Sequence, residues 1–278
     1  MKKITQNGIS FEYEYDSRGN IVSEKRGNLT TTYAYDALGQ LIRVNDPHEN
    51  ATWVYSYDRG GNILSKVKYA YTTGTVGTVL ETIPYTYGDA NWKDKLTAYN
   101  GTAITYDAIG NPLNDGAWTF TWAAGRQLKK MVREDRTLDF KYDHNGMRIQ
   151  KVLQHDWYPE TTNYTYHGKL LTHMTVDYYD WDEVAQQDKL HFFYDGTGCL
   201  TQLSFKNSVY TYVQDSQGDI VGILDSAGVL VVEYKYDAWG RLLNTTGSLA
   251  DTLGKRNPFR YRGYVYDALG QLIRVNDP

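Results

Sequence analysis

Aromatic and polar residues alternate along most of the chain, and the alternation restarts about every twenty residues. The segment Tyr33–Asp36, YAYD, shows the unit, with Gly39 and Leu41 following it. Because side chains alternate between the two faces of a strand, Tyr33 and Tyr35 share one face. Aspartate favours the start of a turn, where its carboxylate accepts a backbone N–H, and glycine suits the return into the sheet. Each unit therefore predicts one antiparallel β-hairpin.

The aspartate and the glycine recur together at a fixed offset, and we interpret each pair as a structural turn. Weaker copies of the unit occur at Tyr85–Gly88, Phe120–Gly125 and Tyr164–Gly168, and a further pair is Asp225 with Gly228. The sequence thus predicts an all-β array of consecutive antiparallel β-hairpins. The predicted turn residues are Asp16, Gly19, Asp36, Gly39, Asp58, Gly61, Asp107, Gly110, Asp143, Gly146, Asp195, Gly198, Asp215, Gly218, Asp237, Gly240, Asp267 and Gly270.

Helix is expected in two short places only. Arg126–Asp135 is predicted to form a turn or two of helix, and Ser248–Asp251 resembles a capping box before Leu253. Composition supports the β class, since 26 tyrosines, 7 phenylalanines and 25 glycines stand against 6 prolines.

The formal charge of −4 comes with scattered basic residues, which argues against a nucleic-acid partner. No apolar run approaches the length of a membrane span, so none is predicted. The basic residues at the start precede no apolar stretch, and we therefore expect no signal peptide within this chain.

Three segments carry a family resemblance. They are Tyr87–Leu96 (YGDANWKDKL), Ile104–Pro112 (ITYDAIGNP) and Asn257–Asp267 (NPFRYRGYVYD). With the repeated Tyr-x-Tyr-Asp units, they resemble the YD-repeat or Rhs-repeat family. That family includes bacterial Rhs and wall-associated proteins, toxin-complex components and teneurins. The match covers nearly the whole chain.

The resemblance implies a curved or spiral sheet that is part of a hollow shell, and a shell that encapsulates and delivers a C-terminal toxin. Residues 1–256 are then the repeat array, and residues 257–278 the start of an Rhs-associated core. The core pattern changes after Asp267, so the family's self-cleaving aspartates are not carried over. The implied partners are the remainder of the shell and its toxin cargo, in a secreted or cell-surface protein. The alternative is an adhesion or carbohydrate-binding module with a surface glycan as partner.

For each group of residues that could carry out catalysis or bind a metal, a structural role explains the sequence better. The repeated aspartates resemble the paired carboxylates of a glycoside hydrolase, but the glycine at fixed offset favours turns. The run Asp177–Glu183 is a candidate calcium loop, with a solvated acidic turn the favoured alternative. Cys199 is predicted to be a buried, inert thiol. No metal-binding spacing links His48, His144, His155, His167, His173 and His191. We therefore predict no enzyme activity, no metal and no cofactor.

One hairpin sequence occurs twice. Residues 33–47 and 264–278 are identical except that Ala34 is replaced by Val265. Other repeats share only the tyrosines, the aspartate and the glycine, so structural constraint does not account for this identity. We infer a crossover or a join between two repeats, which runs the core segment into a duplicated hairpin.

Overall fold

The computed structural model describes residues 3–6, 8–154 and 158–266, together with the backbone of 272–274. The chain divides into two compact units, residues 1–119 and 120–278. Much of the duplicated hairpin, including Asp267 and Gly270, lies outside the described residues.

The first sheet has ten strands, and each strand pairs with its neighbours in chain order. Its strands are β1 (Lys3–Gln6), β2 (Ile9–Tyr15), β3 (Ile21–Arg26), β4 (Leu29–Tyr35), β5 (Leu41–Asp46), β6 (Ala51–Tyr57), β7 (Ile63–Ala70), β8 (Val79–Thr86), β9 (Ala98–Tyr99) and β10 (Thr102–Ala103).

The second sheet has fourteen strands, again in chain order and antiparallel. They are β11 (Thr105–Tyr106), β12 (Pro112–Asn114), β13 (Thr119–Ala123), β14 (Gln127–Arg133), β15 (Arg136–Tyr142), β16 (Arg148–Gln154), β17 (Glu160–His167), β18 (Leu170–Tyr179), β19 (Ala185–Tyr194), β20 (Leu200–Phe205), β21 (Ser208–Gln214), β22 (Ile220–Leu224), β23 (Leu230–Tyr236) and β24 (Leu242–Thr246). A separate pair follows, β25 (Val265–Tyr266) with β26 (Leu272–Arg274).

This consecutive order confirms the predicted hairpin array. Among the strands that the structure describes in these two sheets, pairing joins sequence neighbours, so each hairpin depends on the next one for its hydrogen-bond partners. A register shift recurs at the second tyrosine of the unit, for example between Ala34 and Tyr35 and between Ser56 and Tyr57. These bulges increase the local twist beside the turn.

The two faces of each sheet differ in burial. On β2, Phe11 and Tyr13 are buried, and on β15 Leu138 and Phe140 are buried, while intervening residues are more exposed. The main core of the second unit gathers Met174, Leu190 and similar residues beneath a C-terminal segment, residues 249–266, which we call the strap. It contains one short helix, α1 (Leu253–Arg256), and a 3-10 turn at Tyr261–Gly263.

The first helix prediction is wrong, and the second is right about the position of the helix but wrong about its cap. Residues 127–133 form β14, which pairs with β15, because sheet pairing and burial of Met131 outweigh the local helical tendency. The expected capping box is also wrong. The helix α1 begins at Leu253 after Thr252, whose side chain makes no capping hydrogen bond. In the described part of the chain, no helix is both long and apolar enough to cross a bilayer.

Candidate functional site

The aspartate turns share one geometry, which the Asp36 turn illustrates. Asp36 Oδ1 accepts hydrogen bonds from the backbone N–H groups of Leu38 at 2.8 Å and Gln40 at 2.9 Å. The Gly39 N–H donates to the Asp36 carbonyl at 3.1 Å, and Gly39 has a φ of 82°. One carboxylate therefore holds the loop and leaves the left-handed conformation to the glycine, which adopts it at least cost.

The same arrangement occurs at every predicted turn in the described residues. The aspartates that accept both N–H groups are Asp16, Asp36, Asp58, Asp107, Asp143, Asp195, Asp215, Asp225 and Asp237. The glycines with positive φ are Gly19, Gly39, Gly61, Gly110, Gly146, Gly198, Gly218, Gly228 and Gly240.

One turn of this kind escaped the sequence interpretation. Asp180 Oδ1 accepts from Asp182 N at 3.1 Å and Val184 N at 2.9 Å, and Glu183 takes the glycine position with a φ of 58°. Tyr179 before Asp180 indicated a turn of this kind, but the glycine expected three residues after the aspartate is absent. Within the acidic run 177–183, residues 180–183 thus form a hairpin turn and residues 177–179 end strand β18, which agrees with the acidic turn favoured over a calcium loop.

Cys199 contradicts its prediction, since its side chain is exposed. It follows the turn glycine Gly198, at the edge of the loop, where its sulfur lies 3.4 Å from Thr197 Oγ1, a hydroxyl that donates to Asp195 Oδ1 at 2.6 Å. Among the described residues, no three His, Cys, Asp or Glu side chains are grouped so that they could hold a metal ion.

The second tyrosine of the unit has a role that the sequence interpretation missed. Its hydroxyl donates to a backbone carbonyl at or near the start of the returning strand of the preceding hairpin, at 2.5 to 3.1 Å. We call this set the tyrosine ladder. Its donor and acceptor pairs are Tyr35 to Ile21, Tyr57 to Leu41, Tyr87 to Ile63, Tyr106 to Leu96, Tyr142 to Leu128, Tyr166 to Arg148, Tyr194 to Leu171 and Tyr236 to Ile220.

The sequence contained a signal for this ladder. Phenylalanine occupies the first aromatic position at Phe140 and Phe192, yet the second position in those units is still tyrosine, Tyr142 and Tyr194. In those units the second ring keeps its hydroxyl although the first ring has none, which indicates that the second hydroxyl is used. In the Asp215 unit Gln214 occupies the same position, and its side chain donates to Leu200 O at 3.1 Å. Burial, with a smaller contribution from the Asp36 charge, raises the pKa of Tyr57 to about 12, so this hydroxyl stays a donor well above neutral pH.

The strap lies across the buried face of the second sheet. Leu249 N donates to Val231 O at 2.9 Å, and Phe259, 1% exposed, packs edge-on against Phe192 with ring centroids 5.0 Å apart. The Tyr212 ring also packs edge-on against Phe259, with centroids 6.2 Å apart. The aromatic rings of the hairpins therefore form the surface that holds the strap.

Buried polar contacts fix the strap in one position. Asn257 Oδ1 accepts from the Tyr212 hydroxyl at 2.7 Å, and its Nδ2 donates to the Tyr234 hydroxyl at 3.2 Å. The Tyr234 hydroxyl donates in turn to Gly254 O at 2.9 Å. Because each of these groups is buried and would be costly to leave unpaired, the network selects one register for the strap.

Charged groups add two further attachments. The Arg256 guanidinium bonds Glu160 Oε2 at 2.7 Å and Asp188 Oδ2 at 2.9 Å. Further along, the Arg262 N–H donates to Asp219 Oδ1 at 2.7 Å. Burial, reinforced by the neighbouring Asp215 carboxylate, raises the pKa of Asp219 to about 7.

The hairpin array matches a known protein family. The family model Teneurin YD-shell matches residues 1–278. The chain belongs to the YD-shell family. The resemblance inferred from the repeated Tyr-x-Tyr-Asp units is thereby confirmed.

Relatives of this YD-shell chain include the tRNA nuclease WapA of Bacillus subtilis, 35% identical over 95% of this chain and 12% of the relative. Teneurin-m of Drosophila melanogaster is 26% identical over 84% of this chain and 8% of the relative. The solved TcdB2-TccC3-Cdc42 structure matches with a TM-score of 0.73 and 19% identity, covering 94% of this chain and 15% of that one. The chain thus spans about an eighth of its WapA relative.

Proposed function

We propose that this chain is a wall segment of a larger YD shell that encapsulates and delivers a C-terminal toxin domain. Relatives named as nucleases and as a deaminase toxin match this chain over nearly its whole length but only a small share of their own. This supports the assignment of toxic activity to parts of such proteins that lie outside the region shared with this chain.

The observation that carries the proposal is the strap. The buried face of the second sheet holds the continuing chain of the same protein through Phe259, Asn257 and Arg256. The sheet therefore binds the chain that follows it on one of its faces. A shell that encloses a domain following it in the chain needs this arrangement. We propose residues 1–256 as the array and residues 257–278 as the start of the core.

We also propose that the segment contributes no catalysis. The regularly spaced aspartates that resemble hydrolase carboxylates are engaged by backbone N–H groups in turns, as at Asp36. The partners are the remainder of the shell and its cargo, in a secreted or cell-surface protein. A surface glycan as partner and the absence of nucleic acid both stay predictions.

The test replaces the matching segment of Bacillus subtilis WapA with this chain. We expect limited proteolysis of the chimera to release the same protease-resistant body as the parent, because the wall is completed. The variant Phe259→Asp should lose that resistance, since it places a charge in the strap core. The variant Lys255→Gln, at an exposed position of the same segment, is the control.

Two results would contradict the proposal. One is a chimera digested throughout although circular dichroism shows the β-structure of this chain to be intact. The other is full protection of the C-terminal domain in the Phe259→Asp chimera, which would mean that the strap is not part of the enclosure.

A further inference from the structure

Two histidines lie directly opposite each other on neighbouring strands of the second sheet. His173 on β18 pairs with His191 on β19, and both side chains are exposed. The adjacent pair, Met174 and Leu190, is buried under the strap, so the two imidazoles are on the other face. No metal-binding spacing links them in the sequence because only the hairpin brings them together.

The hydrogen bonds around His173 fix its tautomer. The Thr172 hydroxyl donates its single proton to Thr165 O at 3.2 Å, since a carbonyl can only accept. The contact of 3.0 Å between His173 Nδ1 and Thr172 Oγ1 is therefore donated by the imidazole. The proton lies on Nδ1, which leaves the lone pair on Nε2. Outer hydrogen bonds of this kind orient metal-binding histidines.

The ring separation fits a chelate of particular geometry. The two ring centroids are 4.3 Å apart, and the ring planes are inclined at 63° to each other. With metal–nitrogen bonds of about 2.0 Å, two imidazoles at a right angle around one ion have centroids about 4.5 Å apart, and at the tetrahedral angle about 5.2 Å apart. Right-angled nitrogen ligands are typical of copper(II) and nickel(II), whereas zinc prefers the tetrahedral arrangement.

We propose that His173 and His191 form a two-imidazole site for a copper(II) or nickel(II) ion, with water in the remaining positions. The exposed sheet face leaves room for those waters. Thr172 is a positioning residue, because it acts on the ion only through His173. The hairpin already holds the two side chains opposite each other, so binding costs mainly the rotamer freedom of the two imidazoles.

The test is titration of the full chain with copper(II) chloride and with nickel(II) chloride, by calorimetry in a non-coordinating buffer. We expect one equivalent to bind, with an electron paramagnetic resonance spectrum of the copper form that shows two equatorial nitrogens. The variants His173→Gln and His191→Gln should each weaken binding more than the roughly tenfold loss typical of an outer-sphere change. The double variant His144→Gln, His167→Gln should bind as the parent does.

A second pair of variants tests the positioning role. Thr172→Val removes the hydroxyl and should weaken binding by about tenfold, whereas Thr172→Ser should restore it. Binding that is unaffected by His173→Gln, or that falls equally in the His144→Gln, His167→Gln control, would overturn the proposal. A one-nitrogen copper spectrum in the parent chain would overturn it as well.

Discussion

The tyrosine ladder makes the sharpest prediction about what holds successive hairpins together. Replacing Tyr57 with phenylalanine keeps the ring and removes only the hydroxyl that donates to Leu41 O at 2.6 Å. A neutral hydrogen bond contributes about 0.5–1.5 kcal/mol, and a carbonyl left unpaired away from water costs about 1–3 kcal/mol. Because Tyr57 is half-buried, we expect Tyr57→Phe to lower the free energy of unfolding by about 1–2 kcal/mol.

The assay is urea unfolding at neutral pH, followed by circular dichroism, with Tyr236→Phe as the equivalent change in the second unit, where the hydroxyl donates to Ile220 O at 2.7 Å. Tyr99→Phe is the control, since the Tyr99 ring is 43% exposed and packs edge-on against Tyr85. If Tyr57→Phe and Tyr99→Phe change the unfolding free energy equally, the hydroxyl does not stabilise the contact between hairpins.

Alkaline pH provides an independent check. The pKa of Tyr57 is raised from 10.0 to about 12 in the folded chain, so the folded state favours the protonated phenol. The resulting stability is fully present below pH 10 and is lost as the pH rises through about 12. The Tyr57→Phe variant should lack this share of the alkaline loss, and an unchanged alkaline profile would refute the assignment.

Three further predictions follow from the turns and the strap. Gly198→Ala should destabilise the chain by about 1 kcal/mol or more, because φ at Gly198 is 86°. Gly196→Ala in the same turn is the control, since Gly196 has open space around it and no positive φ; equal urea unfolding midpoints of the two variants would contradict the prediction. Arg256→Met should cost about 2 kcal/mol or more in thermal or urea unfolding, since it removes the cation of the half-buried Glu160 and leaves the buried Asp188 with Lys206 alone, at 3.9 Å. Lys255→Met breaks only an exposed ion pair and should have a much smaller effect; equal losses would contradict the assignment. Burial raises the pKa of both Asp219 and the neighbouring Asp215, so the stability linked to this carboxylate pair is fully present below pH 3.8 and is lost as the pH rises towards neutral. Asp219→Asn should flatten this part of the profile of unfolding free energy against pH, and a parallel profile would contradict the assignment.

The sequence was sufficient for the hairpin class and for most turns, because both depend on contacts within a few residues. The carboxylate of Asp36 meets the N–H groups of Leu38 and Gln40, and Gly39 provides the conformation between them. Aspartate and glycine at these offsets favour such a turn through local contacts alone. The period of two in the intervening segments then predicts strands.

The sequence interpretation was wrong or incomplete for segments that lack these local turn residues. Residues 127–133 have no Tyr-x-Tyr-Asp unit, and their strand exists because β15 offers a partner and Met131 a buried position. The turn at Asp180 lacks its glycine, yet Glu183 adopts a φ of 58° because the paired strands β18 and β19 hold its two sides. In both places pairing with a neighbouring strand overrides the local preference.

Tertiary structure alone decided which distant groups meet. The Tyr57 hydroxyl reaches Leu41, the strap's Arg256 reaches Glu160, and His173 meets His191 only after the register of the hairpins is set. That register depends on bulges, such as the one at Tyr57, which shift later side chains relative to their partners. Composition and spacing do not contain those shifts, so the sequence determined the array of hairpins, and the packing of neighbouring hairpins determined the ladder, the strap contacts and the histidine pair.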